Sequence, residues 1–62
     1  MTIEKLIDME IINDKTEIYV RDTDFGLITH GNWFQDNILD LVLDMIDCYS
    51  WQDDNRVYID LK

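Results

Sequence analysis

Proline is absent from the chain, glycine occurs twice, cysteine and histidine once each, and only five residues are basic. Each scarcity removes a class of explanation. With Cys48 alone, no intrachain disulfide forms and no Cys/His zinc cluster can be assembled. A single thiol fits a reducing cytoplasm better than secretion, and the helical reading below makes Cys48 a small core residue. His30 is the one side chain whose unperturbed charge change lies near neutral pH, and no Ser or Cys nucleophile accompanies it in a recognisable motif. Gly-rich phosphate loops, HExxH and CxxC are all missing. No run approaches about 20 apolar residues, and no basic stretch followed by an apolar one opens the chain. The expectation is an untargeted cytoplasmic protein with no membrane span, no catalysis, no cofactor and no metal.

Positive charge is the scarcity with the largest consequence. Fourteen acidic residues face five basic ones, a net charge of −9 on 62 residues, where solubility alone needs a magnitude of about 2 to 8. A composition that is 47% hydrophobic, with two Trp, three Tyr and two Phe, is too apolar for a solvated acidic tail, so the chain folds. Direct nucleic-acid or anionic-membrane binding is disfavoured, because counterion release needs clustered Lys and Arg. A basic protein partner is favoured through long-range steering.

Residues 1–62 make one small domain with a thin core. Thr2 caps a short helix from about residue 3 to residue 9 or 10, with Ile3, Leu6 and Ile7 on one face. An alternative makes Met9 to Ile12 a strand. Glu17-Ile18-Tyr19-Val20-Arg21 alternates with period two. Asp22-Thr23-Asp24-Phe25-Gly26 supplies a turn in which Gly26 is free to take positive φ, and Leu27 to Gly31 returns as a second hairpin arm. Asn32 with Gln35 reads as a capping box opening a long helix to about Tyr49. Arg56 to Leu61 is a strand with Val57, Ile59 and Leu61 on one face. The predicted α+β fold is α-β-β-α-β: a three-stranded antiparallel sheet packed on one long helix, with a short N-terminal helix.

On that helix, Asp36, Asp40, Asp44 and Asp47 fall within an arc of roughly 80°, and apolar residues fill about 220°. Like-charge pairs four residues apart, Asp in place of Glu, and acids in the last turns together cost roughly 1–2 kcal/mol. That is a sizeable part of a stability on the order of 5 kcal/mol. The stripe, with Asp22, Asp24, Asp53 and Asp54 on neighbouring loops, therefore reads as a partner-binding surface that imitates a phosphate backbone. The plain alternative is a solvated face. The apolar arc exceeds the roughly 100° a core needs, so the first helix or a second copy must cover the surplus, and a homodimer is expected as an option.

Asp22-x-Asp24-x-Gly26 looks like the start of a calcium loop. It puts Gly26 where an oxygen ligand belongs and Trp33 at the twelfth position, so a hairpin turn is the better reading. Trp33 and Trp51 flank the long helix; they are end plugs by default and interface anchors if exposed.

The segments Glu17-Ile18-Tyr19-Val20-Arg21-Asp22, Gly31-Asn32-Trp33-Phe34-Gln35-Asp36-Asn37-Ile38-Leu39 and Arg56-Val57-Tyr58-Ile59-Asp60-Leu61 carry a resemblance along the whole chain. It resembles the short acidic proteins of phages and prophages of low-GC Gram-positive bacteria. Several small phage proteins of this size and charge, including some anti-CRISPR proteins and uracil-DNA glycosylase inhibitors, are DNA mimics. The resemblance implies a counter-defence inhibitor whose partner is a basic host protein, such as a CRISPR effector nuclease or another DNA-binding enzyme. The competing expectation is a homo-oligomeric accessory protein without DNA mimicry.

Overall fold

Thr2 opens the first element. Its backbone is extended, and its Oγ1 accepts the Lys5 amide hydrogen at 3.2 Å, the capping arrangement that the sequence pattern implies. In the computed structural model, which covers all 62 residues, helix α1 runs Ile3–Asp8 and buries Ile3 and Leu6. Glu10 then takes a positive φ of 61°. The Glu10 amide donates to the Ile7 carbonyl and the Ile11 amide to the Leu6 carbonyl, each at 3.0 Å, which closes the helix as a Schellman motif. Residues 9–12 are turns and bends, so the alternative strand does not form, and Ile12 enters the core.

Strands β1 (Glu17–Arg21) and β2 (Leu27–Gly31) form the expected hairpin. Its turn is organised by Asp22, whose Oδ1 accepts the amide hydrogens of Asp24 and Gly26, both at 2.9 Å. The positive φ, 64°, falls on Phe25 and not on Gly26. A carboxylate that holds two amides specifies the turn well enough to carry a left-handed aromatic residue.

The long helix does not exist. Helix α2 is one turn, Asp36–Leu39, followed by further turns, and Ile46–Trp51 is a strand, β3, paired with β4 (Arg56–Leu61). The sheet therefore has four strands in the order β2-β1-β4-β3, antiparallel except for the central β1–β4 pair, which is parallel. This corrects the three-stranded antiparallel sheet and its α-β-β-α-β order. The reason lies in the surplus apolar arc. As a helix, residues 36–49 offer more apolar surface than one sheet can cover, and four aspartates lower the helical propensity. As a turn followed by a strand, Ile38 and Ile46 are buried while Leu41 and Val42 pack on the core. A register shift between Ile46 and Cys48 then sets Tyr49 opposite Ile59 and Trp51 opposite Val57.

Nine buried residues make the core: Ile3, Leu6, Ile12, Ile18, Val20, Ile38, Ile46, Val57 and Ile59. The inward side chains of β1 and β4 meet both helices on one side of the sheet. On the other side, alternation along the strands puts out Glu17, Tyr19 and Arg21 from β1 and Arg56, Tyr58 and Asp60 from β4.

Candidate functional site

Two surfaces result, one acidic and one aromatic. Of the fourteen carboxylates, only Glu17 and Asp60 are not exposed. Two ion pairs form, Arg21–Asp60 and Arg56–Asp53. Eleven exposed acids therefore have no cationic partner.

With no helix to align them, Asp36, Asp40, Asp44 and Asp47 do not form a stripe. Asp36 starts α2, Asp40 caps its end, Asp44 lies in the following turns, and Asp47 sits at the β3 bulge. They stay close in sequence on a strap across the top of the fold. The strap turns its apolar residues both ways: Ile38 and Ile46 inward, and Leu39, Leu43 and Met45 outward at 41%, 70% and 52% exposure. The Glu4 amide donates to the Val42 carbonyl at 3.0 Å and ties the strap to α1.

The other candidate residues separate. Asp22 and Asp24 lie in the β1–β2 turn, at the sheet end where β3 begins, whereas Asp53 and Asp54 lie in the β3–β4 turn at the opposite end. Asp22 is occupied in holding its own turn. Asp53 is occupied likewise: it accepts the Asn55 and Arg56 amides and the Arg56 Nε, and the Asn55 amide foremost, then Arg56, hold its carboxyl below the usual range. Trp33 is half-buried against the core, with its Nε1 donating to Asp14 Oδ1 at 2.8 Å. Trp51 is 42% exposed at the end of β3. Neither tryptophan flanks a long helix.

The aromatic surface escaped the reading of the sequence. Registers across the sheet set His30, Tyr19, Tyr58 and Ser50 in one row and Leu27, Arg21, Asp60 and Cys48 in the next. His30 stacks on Tyr19 with ring centroids 5.2 Å apart, and Tyr19 lies 5.3 Å from Tyr58. The Arg21 guanidinium donates to both Asp60 oxygens at 2.6 and 3.0 Å, with its Cζ 4.5 Å from the Tyr58 centroid and 5.3 Å from that of Phe25. Asp60 raises the Arg21 pKa through these bonds. It also accepts the Cys48 thiol hydrogen at 3.4 Å and so pushes that thiol above its ordinary range. Cys48 is exposed here, not buried as the helical projection required. Tyr19 donates its hydroxyl to Glu17, which raises the phenol pKa. The signal was present as two alternating triplets, Glu17-x-Tyr19-x-Arg21 and Arg56-x-Tyr58-x-Asp60.

A shallow cleft of about 260 Å³ lies at one end of this face, among Asp22, Phe25, Asp47, Asp60 and Lys62. No group of three or more His, Cys, Asp or Glu side chains converges as metal ligands. No helix is long and apolar enough to cross a membrane. No protein family, curated protein or solved structure matches the chain.

Proposed function

We propose that this chain is a non-enzymatic inhibitor of the phage counter-defence type. It acts in the host cytoplasm by occupying the basic DNA-binding groove of a nuclease or CRISPR effector. The observation that carries the reading is the set of eleven exposed carboxylates without a cationic partner. Unneutralised surface charge of one sign attracts a basic groove over several ångströms and raises the association rate. No helix aligns the carboxylates on one face, so recognition rests on net potential and on the strap. There Leu39, Leu43 and Met45 offer apolar anchors among Asp36, Asp40, Asp44 and Asp47. Charge brings the partner in, and desolvation of the anchors slows its departure.

The test is displacement of a fluorescent DNA duplex from a CRISPR effector nuclease, followed by anisotropy. The chain should release the duplex, and raising salt from about 0.1 M to about 0.3 M should weaken the effect at least about tenfold. Replacing Asp36, Asp40 and Asp44 together by Asn should weaken it by a similar factor without altering the circular dichroism. Equal potency of the triple variant refutes the reading.

A further inference from the structure

We infer that the outward apolar patch of the strap docks a basic amphipathic helix of the partner, one with Lys or Arg on both flanks of an apolar ridge. The basic character of the partner rests on the proposed function; its helical, amphipathic form is what the strap adds. The patch extends beyond the strap itself. Thr2 bridges to Met45, the Ile46 amide donates to the Met1 carbonyl at 2.7 Å, and the Met1 amino nitrogen lies 4.0 Å from the Met45 sulfur. Met1, 49% exposed, therefore joins Leu39, Leu43 and Met45 on the outside of the fold.

Charge complementarity selects the occupant. Asp36, Asp40, Asp44 and Asp47 alternate with the patch residues along the strap, and the Glu4 amide ties a fifth acidic residue to Val42. All five are exposed and none is in an ion pair, whereas the neighbouring cations are only Lys5 and Lys62. A second copy seated on the same patch would set these carboxylates against their own kind, at a cost that grows in low-dielectric contact. An anionic membrane surface is repelled for the same reason, since helices and patches that lie on membranes carry Lys and Arg. Apolar side chains set among carboxylates are matched by the reverse arrangement, an apolar ridge set among cations.

The backbone of the strap selects the form. The amides from Ile38 to Val42 all donate to carbonyls three or four positions back, which closes this stretch on itself. The Val42 and Met45 carbonyls accept the Glu4 and Lys62 amides, so the strap is not an open edge for an added strand. Recognition falls to the side chains. Those of the patch are Leu and Met, without the aromatic walls that grip a Pro-rich segment. An amphipathic helix instead lays the apolar side chains of one face onto such a surface. Two methionines beside two leucines let the patch adapt to the sequence of that ridge.

The experiment titrates the intact chain into a fluorescent peptide of about 18 residues with a leucine ridge and lysine flanks, followed by anisotropy in about 0.1 M salt. Binding should saturate with a dissociation constant on the order of 10 μM. A scrambled peptide of the same composition and charge should bind at least about tenfold more weakly. Leu43→Ser, at a position 70% exposed and outside the core, should weaken binding at least about fivefold with circular dichroism unchanged. Equal binding of the scrambled peptide, or a Leu43→Ser variant that binds like wild type, overturns the proposal. Release of the DNA duplex from the nuclease without any binding of the peptide also overturns it, and leaves the proposed function standing. Peptide binding without release of the duplex supports this docking site and refutes the proposed function.

Discussion

Asp60 is the residue on which most of the open face depends. Nearly buried at 6% exposure, it holds Arg21 through two charge-assisted hydrogen bonds and accepts a third from the Cys48 thiol. Arg21 in turn lies over the rings of both Tyr58 and Phe25. Asp60→Asn keeps the shape and removes the charge. We expect its melting temperature to fall by roughly 5–15 °C, since bonds to charged groups matter more than neutral ones in so small a domain. The sign at Cys48 is also set. Asp60 favours the protonated thiol, so the variant should have a lower Cys48 pKa and react faster with a thiol reagent at mildly alkaline pH. An unchanged reaction rate would remove Asp60 as the cause of the shift. The residue types were legible from alternation along the two strands, but the tilted packing of Tyr19 against Tyr58 was not. It requires the parallel register of strands separated by more than thirty positions.

At the level of elements, the junction between β2 and α2 shows how a local signal succeeds while its extrapolation fails. Gln35 does reach back, accepting the Asn32 amide as the capping box requires. Asn32, however, spends its side chain on the Asp14 and Thr16 carbonyls, and the helix begins only at Asp36. Gly31 makes this junction possible, with φ at 153° and the Gln35 side chain pressed where a Cβ would stand. Gly31→Ala should therefore cost about 1–3 kcal/mol through backbone strain and displacement of Gln35. Urea denaturation should show a lower midpoint with an unchanged slope. A midpoint equal to wild type would mean that the junction is freer than its geometry implies. Helix α1, the hairpin and β4 were readable because caps, turn residues and alternation lie within a few positions of one another. Strand β3 was not, because its apolar residues also fit a helical projection and only pairing with β4 distinguishes the two.

For the molecule as a whole, the charge is a stress as well as an instrument. Eleven unpaired exposed carboxylates repel one another in the folded state more than in an expanded chain. Raising sodium chloride from about 20 mM to about 300 mM should screen that repulsion and lift the melting temperature by several degrees. A fall on adding salt would show that the two ion pairs outweigh the repulsion. Such a protein is most stable when its charge is neutralised, so the basic partner proposed above would stabilise the fold by the same neutralisation that draws it in.

Composition and short-range pattern were enough to establish an acidic chain that folds, a capped first helix, a β1–β2 hairpin and the strand Arg56–Leu61. Each of these follows from interactions between residues a few positions apart. The parallel pairing of β1 with β4, the conversion of residues 46–51 into a strand, and the dispersal of the aspartates came from packing alone. A polypeptide resolves a surplus of apolar side chains by finding a second strand to cover them, and which strand that is depends on contacts across the whole chain. The same packing that broke up the expected aspartate stripe built the aromatic face on the other side of the sheet.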